Sequence, residues 1–453
     1  MKSYKTIFVA CLVALTAMYS SCNSTDSSLK IEGGRVQGVP SAVPDVTVFK
    51  GIPYAAPPVG DLRWQRPQPV QSWDTVMIAD HFGHAAIQRG RQPGTFYHKE
   101  FQLTGPFEVS EDCLYLNVWA PTASLNKPDT KLPVAMWVHG GAYQGGCGHD
   151  DAFDGDAWAE RGVILVTINY RLGVLGFLST TSLSAETPDH TSGNYGLYDQ
   201  IAALRWVYNN IAAFGGDPQA ITVFGQSAGA ASIKNLISSP LAIPMIHRAI
   251  IQSGGGLGKF IDTDTNNAQL DSIGQSIMDA AGLATTTALR EASVDQINEA
   301  LKGVPLMGVC VPHCDPTALP EDFVAATYNS HLADVEVMIG CNSDDMGDMR
   351  PAIERFATVR DSLHQKPVYT YYFDRKLPGD DAGAFHSAEL WYMFNTLSRS
   401  WRPFTEQDYA LSNRMMDYWT NFVKYGNPNG DGVDGPWKAS TQAQPYMQTL
   451  NIE

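Results

Sequence analysis

Serine, histidine and a carboxylate together can run nucleophilic acyl chemistry, and one serine of this chain stands in the setting such chemistry needs. Ser227 lies in Gly225-Gln226-Ser227-Ala228-Gly229, directly after an apolar β-branched run at 220–224 and before a helix-compatible run at 230–237. Between a buried strand and a helix, G-x-S-x-G is a turn that forces its serine into a strained, exposed position. The glycines stand where side chains would strike the neighbouring strand and helix. The pattern alone is weak, because 40 of 453 residues are glycine and chance matches occur. The strand–turn–helix context carries the reading.

A serine hydroxyl is too weakly acidic to attack a carbonyl unaided. It needs a base, and the base needs an orienting carboxylate. Behind such a serine the chain order is serine, acid, histidine. The downstream histidines are His247, His313, His331, His364 and His386. A predicted strand at 335–339 leads to Asn342-Ser343-Asp344-Asp345, and one at 368–373 leads to Gly383-Ala384-Phe385-His386. That order selects His386 as the base and leaves Asp344 and Asp345 open as the acid. His364 precedes its strand and falls at the wrong edge of a sheet. The oxyanion of a tetrahedral intermediate also needs donors. Gly140 and Gly141, in His139-Gly140-Gly141-Ala142 after a strand at 133–138, offer two N–H groups, and Ala228 offers a third. One such donor is worth about 10²–10³ in rate.

The elements that must hold these groups are legible as alternation. Strands at 114–119, 133–138, 162–168, 220–224, 248–252, 335–339 and 368–373 alternate with helices such as 154–161 and 197–211. In the latter Ile201, Leu204, Val207 and Ile211 recur at helical spacing. The pattern predicts a mainly parallel sheet covered on both faces. Residues 29–453 read as one domain, with a cap-like helical insertion at about 255–330 beside the site.

Lys2 and Lys5 precede an apolar run at 7–19, followed by Ser20, Ser21 and Cys22. Residues 1–22 therefore read as a signal peptide, the run being too short to cross a bilayer. Cys22 stands where a lipoprotein cysteine would, so membrane attachment through a lipid is expected over simple secretion. Residues 23–28 read as a polar tether. The expected location is periplasmic or at the cell surface. Cys11 and Cys22 belong to the export segment, and the five remaining cysteines, an odd number, exclude a dense disulfide framework. Cys310, His313 and Cys314 invite a metal reading but lack a fourth ligand nearby. A small disulfide loop or two unpaired thiols is expected instead, and no metal. A net charge of −16 and no long Lys/Arg run exclude a nucleic-acid partner. The oligomeric state stays open.

In Gly51-Ile52-Pro53-Tyr54-Ala55-Ala56-Pro57-Pro58, Ser110-Glu111-Asp112-Cys113-Leu114-Tyr115-Leu116-Asn117-Val118 and His139-Gly140-Gly141 the chain resembles the type-B carboxylesterases. That group includes the cholinesterases and bacterial para-nitrobenzyl esterases. The likeness continues through the runs 169–177 and 193–200 and through Gln252-Ser253-Gly254, and spans about residues 31–445. It implies an α/β-hydrolase fold and hydrolysis of small-molecule carboxylic esters through an acyl-enzyme, with no cofactor. A feruloyl-type esterase acting on plant-wall aromatic esters and a non-catalytic adhesion member are the alternatives. Carried over residue by residue, Ser227 is the nucleophile and His386 the base, in His386-Ser387-Ala388-Glu389-Leu390. Asp345 takes the acid's place in Asp344-Asp345-Met346, and Gly140, Gly141 and Ala228 match the oxyanion donors.

Four departures from the family pattern matter. Asp345 is one methylene shorter than the usual Glu, so its loop must approach His386 more closely. Gln226 replaces a Glu before the serine. Cys113 has no disulfide partner in 84–88 and should be a buried thiol. Only 41 residues separate Asp345 from His386, fewer than in relatives whose helices there wall the acyl pocket, which predicts a shallower, more open site. Tyr54, Tyr143, Trp391 and Phe394 lie near the motifs and are candidates either for the pocket wall or for the core.

Overall fold

The computed structural model describes residues 27–101, 107–258, 266–431 and 435–452. The export segment read at 1–22, with Cys22, and most of the tether lie outside the described residues. At the centre is one ten-stranded sheet. Its strands in chain order are β1 (Val39–Pro40), β2 (Val46–Pro53), β3 (Tyr115–Pro121), β4 (Leu132–Val138), β5 (Ile164–Ile168), β6 (Gly216–Gln226), β7 (Arg248–Gln252), β8 (Glu336–Asn342), β9 (Val368–Phe373) and β10 (Gln448–Leu450). They lie in the order β10-β9-β8-β7-β6-β4-β5-β3-β2-β1. From β5 to β10 every neighbouring pair is parallel. The remaining pairs, out to β1, are antiparallel.

The central runs of the parallel strands are apolar because both faces are covered. In β4, Val134, Met136 and Val138 enter one core, and Ala135 and Trp137 enter the other. In β7, Ala249 and Ile251 face one side and Ile250 the opposite one. Burying each Val, Ile or Met side chain is worth about 1.5–3 kcal/mol, and a one-residue slip would exchange the two faces.

The helices that matter here are α1 (Phe96–Glu100), α2 (Tyr195–Asn210), α3 (Ala228–Ser238), α4 (Asn267–Ala280), α5 (Thr286–Glu291), α6 (Val294–Ala300), α7 (Phe323–Tyr328), α8 (Arg350–Ser362), α9 (Leu390–Met393) and α10 (Glu406–Tyr425). The stretch 255–330 contains α4 to α7, between β7 and β8. Asp271 on α4 accepts hydrogen bonds from the Ser179, Ser184 and Ser192 hydroxyls, which ties that stretch to the segment 179–192. No described helix is long and apolar enough to cross a membrane.

The strand order positions the site. After β4 the chain lays β5 on one side of it, then crosses to lay β6 on the other. The loops leaving the carboxyl ends of β4 and β6 therefore diverge, and a crevice opens between them. Gly140 and Gly141 follow β4, and Ser227 follows β6.

Candidate active site

Strand β6 ends at Gln226 and α3 begins at Ala228, so Ser227 alone makes the turn, at φ 59° and ψ −126°. That conformation costs a non-glycine residue about 1–3 kcal/mol. Packing and hydrogen bonds sustain it. Ser227 N–H donates to Gln252 O, and Ser227 O accepts from Ala231 N, both at 2.9 Å. A Cβ on Gly229 would lie 2.0 Å from Val138 O, and one on Gly140 would lie 2.6 Å from Gln226 O. The backbones are thus in close contact at the ends of β4 and β6, and the loops diverge only beyond them. The loop after β4 continues through Gly141, Ala142 and Tyr143, all at positive φ. Among the described residues no acceptor takes the N–H of Gly140 or Gly141. Ala228, the first residue of α3, has no acceptor within the helix.

His386 lies in the loop after β9 and Asp345 in the loop after β8. Asp345 Oδ1 accepts from His386 Nδ1 at 2.5 Å, with side-chain exposures of 0% and 6%. This bond sets the tautomer, with the proton on Nδ1 and the lone pair on Nε2. Asp345 Oδ2 accepts from Asn342 N at 3.1 Å. Burial alone would raise the Asp345 carboxyl, but the hydrogen bond and charge of His386, with Ser253 and the Asn342 N–H, hold it below its ordinary value. Asp344 makes no bond to His386. It braces the loop instead: its N–H donates to Ala384 O at 3.1 Å, and its Oδ2 accepts from Ala384 N at 2.9 Å. This stitching brings the shorter carboxylate within reach of the imidazole, as the one-methylene deficit requires. It also separates the two acids that the order of elements left open.

Three neighbours named in the motifs make contacts that the sequence did not foretell. Gln226 Nε2 lies 3.2 Å from His386 Nε2, where an amide N–H donates to the ring's lone pair. Glu389 is wholly buried and accepts from Asn342 Nδ2 at 2.6 Å and Gln252 Nε2 at 3.3 Å. Burial, and then the charge of Asp345, push its carboxyl up. Ser253, buried at φ 52°, lies beside Asp345. The available signal was a small polar residue placed directly after an apolar strand, in Gln252-Ser253-Gly254.

A cavity of about 320 Å³ is shared by Ser227, His386, Gly140 and Gly141. Its aromatic walls are Tyr97, Phe101 and Phe153. Tyr54, Tyr143, Trp391 and Phe394, the four candidates from sequence, are buried in the cores instead. Two of them spend their polar tips inside the protein: Tyr54 Oη donates to Asn169 O, and Trp391 Nε1 to Glu100 Oε1. Trp391 contributes only from behind, stacked on Phe101 at 5.4 Å. No described residue of 255–330 lines the cavity.

Cys113, Cys147, Cys310 and Cys341 are buried thiols outside any disulfide, so no bridge joins Cys310 to Cys314. His313 Nε2 is 3.0 Å from both Ser192 O and Asn267 Oδ1. That imidazole is committed to hydrogen bonds. Among the described residues no group of three or more His, Cys, Asp or Glu is placed to hold a metal.

Sheet order, switch-point crevice and strained serine together define an α/β-hydrolase fold. The carboxylesterase family matches in two stretches, residues 25–357 and 346–453, and the chain belongs to that family. It is a carboxylic-ester hydrolase. It is 33% identical to a para-nitrobenzyl esterase of Bacillus subtilis, over 89% of this chain and 91% of that protein. It is 37% identical to a fumonisin B1 esterase of Sphingopyxis macrogoltabida, over 74% of this chain but only 59% of that relative's length. Among solved structures, a carboxylesterase of Geobacillus stearothermophilus superposes with a TM-score of 0.78 at 29% identity, covering 94% of this chain and 96% of that one. A para-nitrobenzyl esterase superposes with a TM-score of 0.79 at 28% identity, covering 93% and 95%. The two family stretches overlap at 346–357, just after Asp345, in the segment read as short. Between Asp345 and His386 the structure holds α8 and β9 as its regular elements.

Proposed function

We propose that Ser227 attacks the ester carbonyl while His386 Nε2 takes the hydroxyl proton. Asp345 keeps the imidazole in the correct tautomer and stabilises the imidazolium that forms. The N–H groups of Gly140, Gly141 and Ala228 receive the charge that develops on the carbonyl oxygen. Collapse of the tetrahedral intermediate expels the alcohol, which takes the proton back from His386, and leaves an acyl-enzyme on Ser227. Water, deprotonated by the same imidazole, then attacks the acyl carbonyl; the bond to Ser227 Oγ breaks, the serine takes the proton back from His386, and the acid leaves. The observation that carries this reading is the 2.5 Å His386–Asp345 bond at a cavity that Ser227 shares. Gln226 occupies the lone pair of His386 Nε2 in this state, so its amide must yield that lone pair to the serine proton.

A fluorophosphonate probe tests the assignment. The folded protein is expected to be labelled at Ser227, and Ser227→Ala to be unlabelled with its fold intact by circular dichroism. A folded wild type that takes no label would sink the nucleophile assignment, and would favour a binding role for the site.

A further inference from the structure

The cavity around Ser227 is electrically lopsided in a chain that carries 47 acidic and 31 basic residues. Two guanidinium groups, Arg89 and Arg91, line it. They do different things. Arg91 Nη2 pairs with the buried carboxylate of Asp150, and its Nη1 donates to Phe101 O. Its charge is cancelled, and its work is to tie the loop before α1 to the segment after the oxyanion loop. Gln88 helps from the same loop, donating to Gly146 O and accepting from Gly146 N. Arg89 is exposed, and among the described residues it meets no carboxylate and no hydrogen-bond acceptor. The cavity's other ionisable groups leave that charge standing. Burial lowers His139 to about 4, so it is neutral near pH 7. His386 is matched by Asp345.

A second, more open lobe of about 300 Å³ shares Tyr97, Met346 and His386 with the first. Phe96, Met346 and Phe385 give it an apolar wall, and the carboxylate of Asp344 borders it. An anion there would meet a like charge, whereas an anion in the first lobe would meet Arg89. The imidazole of His386 is thus common to an apolar, anion-repelling lobe and an anion-attracting one.

We propose that this enzyme selects esters that carry a carboxylate on the part seated in the Arg89 lobe, with an apolar group across Phe96, Met346 and Phe385. Arg89 is the specificity determinant. The proposal rests on Ser227 being the nucleophile of this cavity. Its test uses matched pairs of esters that differ by one carboxylate. On the acyl side the pair is mono-p-nitrophenyl glutarate against p-nitrophenyl butyrate. On the alcohol side it is 4-acetoxybenzoate against phenyl acetate. The readout is the ratio of kcat/KM within each pair. In Arg89→Gln the ratio is expected to fall about tenfold in at least one pair, and in Arg89→Lys to stay near wild type. Adding about 0.5 M NaCl should lower the same ratio in the wild type and leave it nearly unmoved in Arg89→Gln. The pair that responds identifies which half of the ester faces Arg89. Ratios equal in wild type and Arg89→Gln for both pairs would overturn the proposal. A wild type that hydrolyses none of the four esters would instead count against the nucleophile assignment, so the two failures are distinguishable.

Discussion

Asp344 and Asp345 are adjacent and chemically identical, yet their carboxylates meet different partners. Asp345 Oδ1 accepts from His386 Nδ1, while Asp344 Oδ2 accepts from Ala384 N–H. Asp345→Asn is expected to lower kcat on a p-nitrophenyl ester by about 10⁴, because an amide can present N–H to Nδ1 and favour the wrong tautomer. Asp344→Asn keeps a carbonyl acceptor for Ala384 N–H and should stay within about tenfold. Equal, mild losses in both variants would show the acid to be misassigned. The sign of the Asp345 shift adds a constraint on pH. Its carboxyl is held below its ordinary 3.8, so its stabilising contact is complete above that value and is lost only as pH falls beneath it. Any fall in activity on mild acidification, well above that range, therefore has another source.

Among the elements, α10 shows how a distant helix holds the segment that leads to His386. Leu411, Met415, Trp419 and Phe422 are buried at helical spacing, so the helix was readable from periodicity although the strand–helix alternation did not include it. Its first turn carries Asp408. That carboxylate accepts from Thr405 N, from Tyr392 Oη on α9 and from Arg375 Nε in the segment between β9 and His386. Burial opposes the charge, yet these partners hold the carboxyl at about 2. Asp408→Asn should destabilise the fold by about 2–4 kcal/mol, read as a lower urea midpoint near pH 7. A depressed carboxyl contributes stability above the unfolded value of 3.8 and loses it as pH falls through about 2. The midpoint gap between wild type and variant should therefore close across that window. A gap unchanged down to its lower end would contradict the ion-pair account.

Taken whole, the described residues are held by two cores on either side of one sheet, with no disulfide among them. Burial pushes the Cys113 and Cys147 thiols up, and it raises Cys310 and Cys341 to about 12. All four are thereby kept as unreactive thiols. Reductant should leave Tm unchanged within about 1 °C, since no disulfide constrains the unfolded chain through these residues. A thiol reagent should reach them only after unfolding. A drop in Tm of several degrees with dithiothreitol would reveal a bridge this packing does not contain.

Local order in the chain determined much of this protein. The continuous apolar runs required a sheet buried on both faces, and the strand–turn–helix around Ser227 required its strained turn. The succession of elements then placed Gly140, Gly141, Ser227 and His386 at the same ends of their strands. Those inferences survive because periodicity and turn chemistry act within a few residues. Other features depended on contacts across long sequence separations. Only the fold could decide that Asp345 rather than Asp344 meets His386, since both lie in one loop and the choice turns on its stitching to Ala384. Only packing could send Tyr54, Tyr143, Trp391 and Phe394 inward and leave Tyr97, Phe101 and Phe153 at the cavity. Arg91 finds its carboxylate 59 residues away. Arg89, two positions before it, lines the Ser227 cavity without one among the described residues, and no local pattern distinguishes the two.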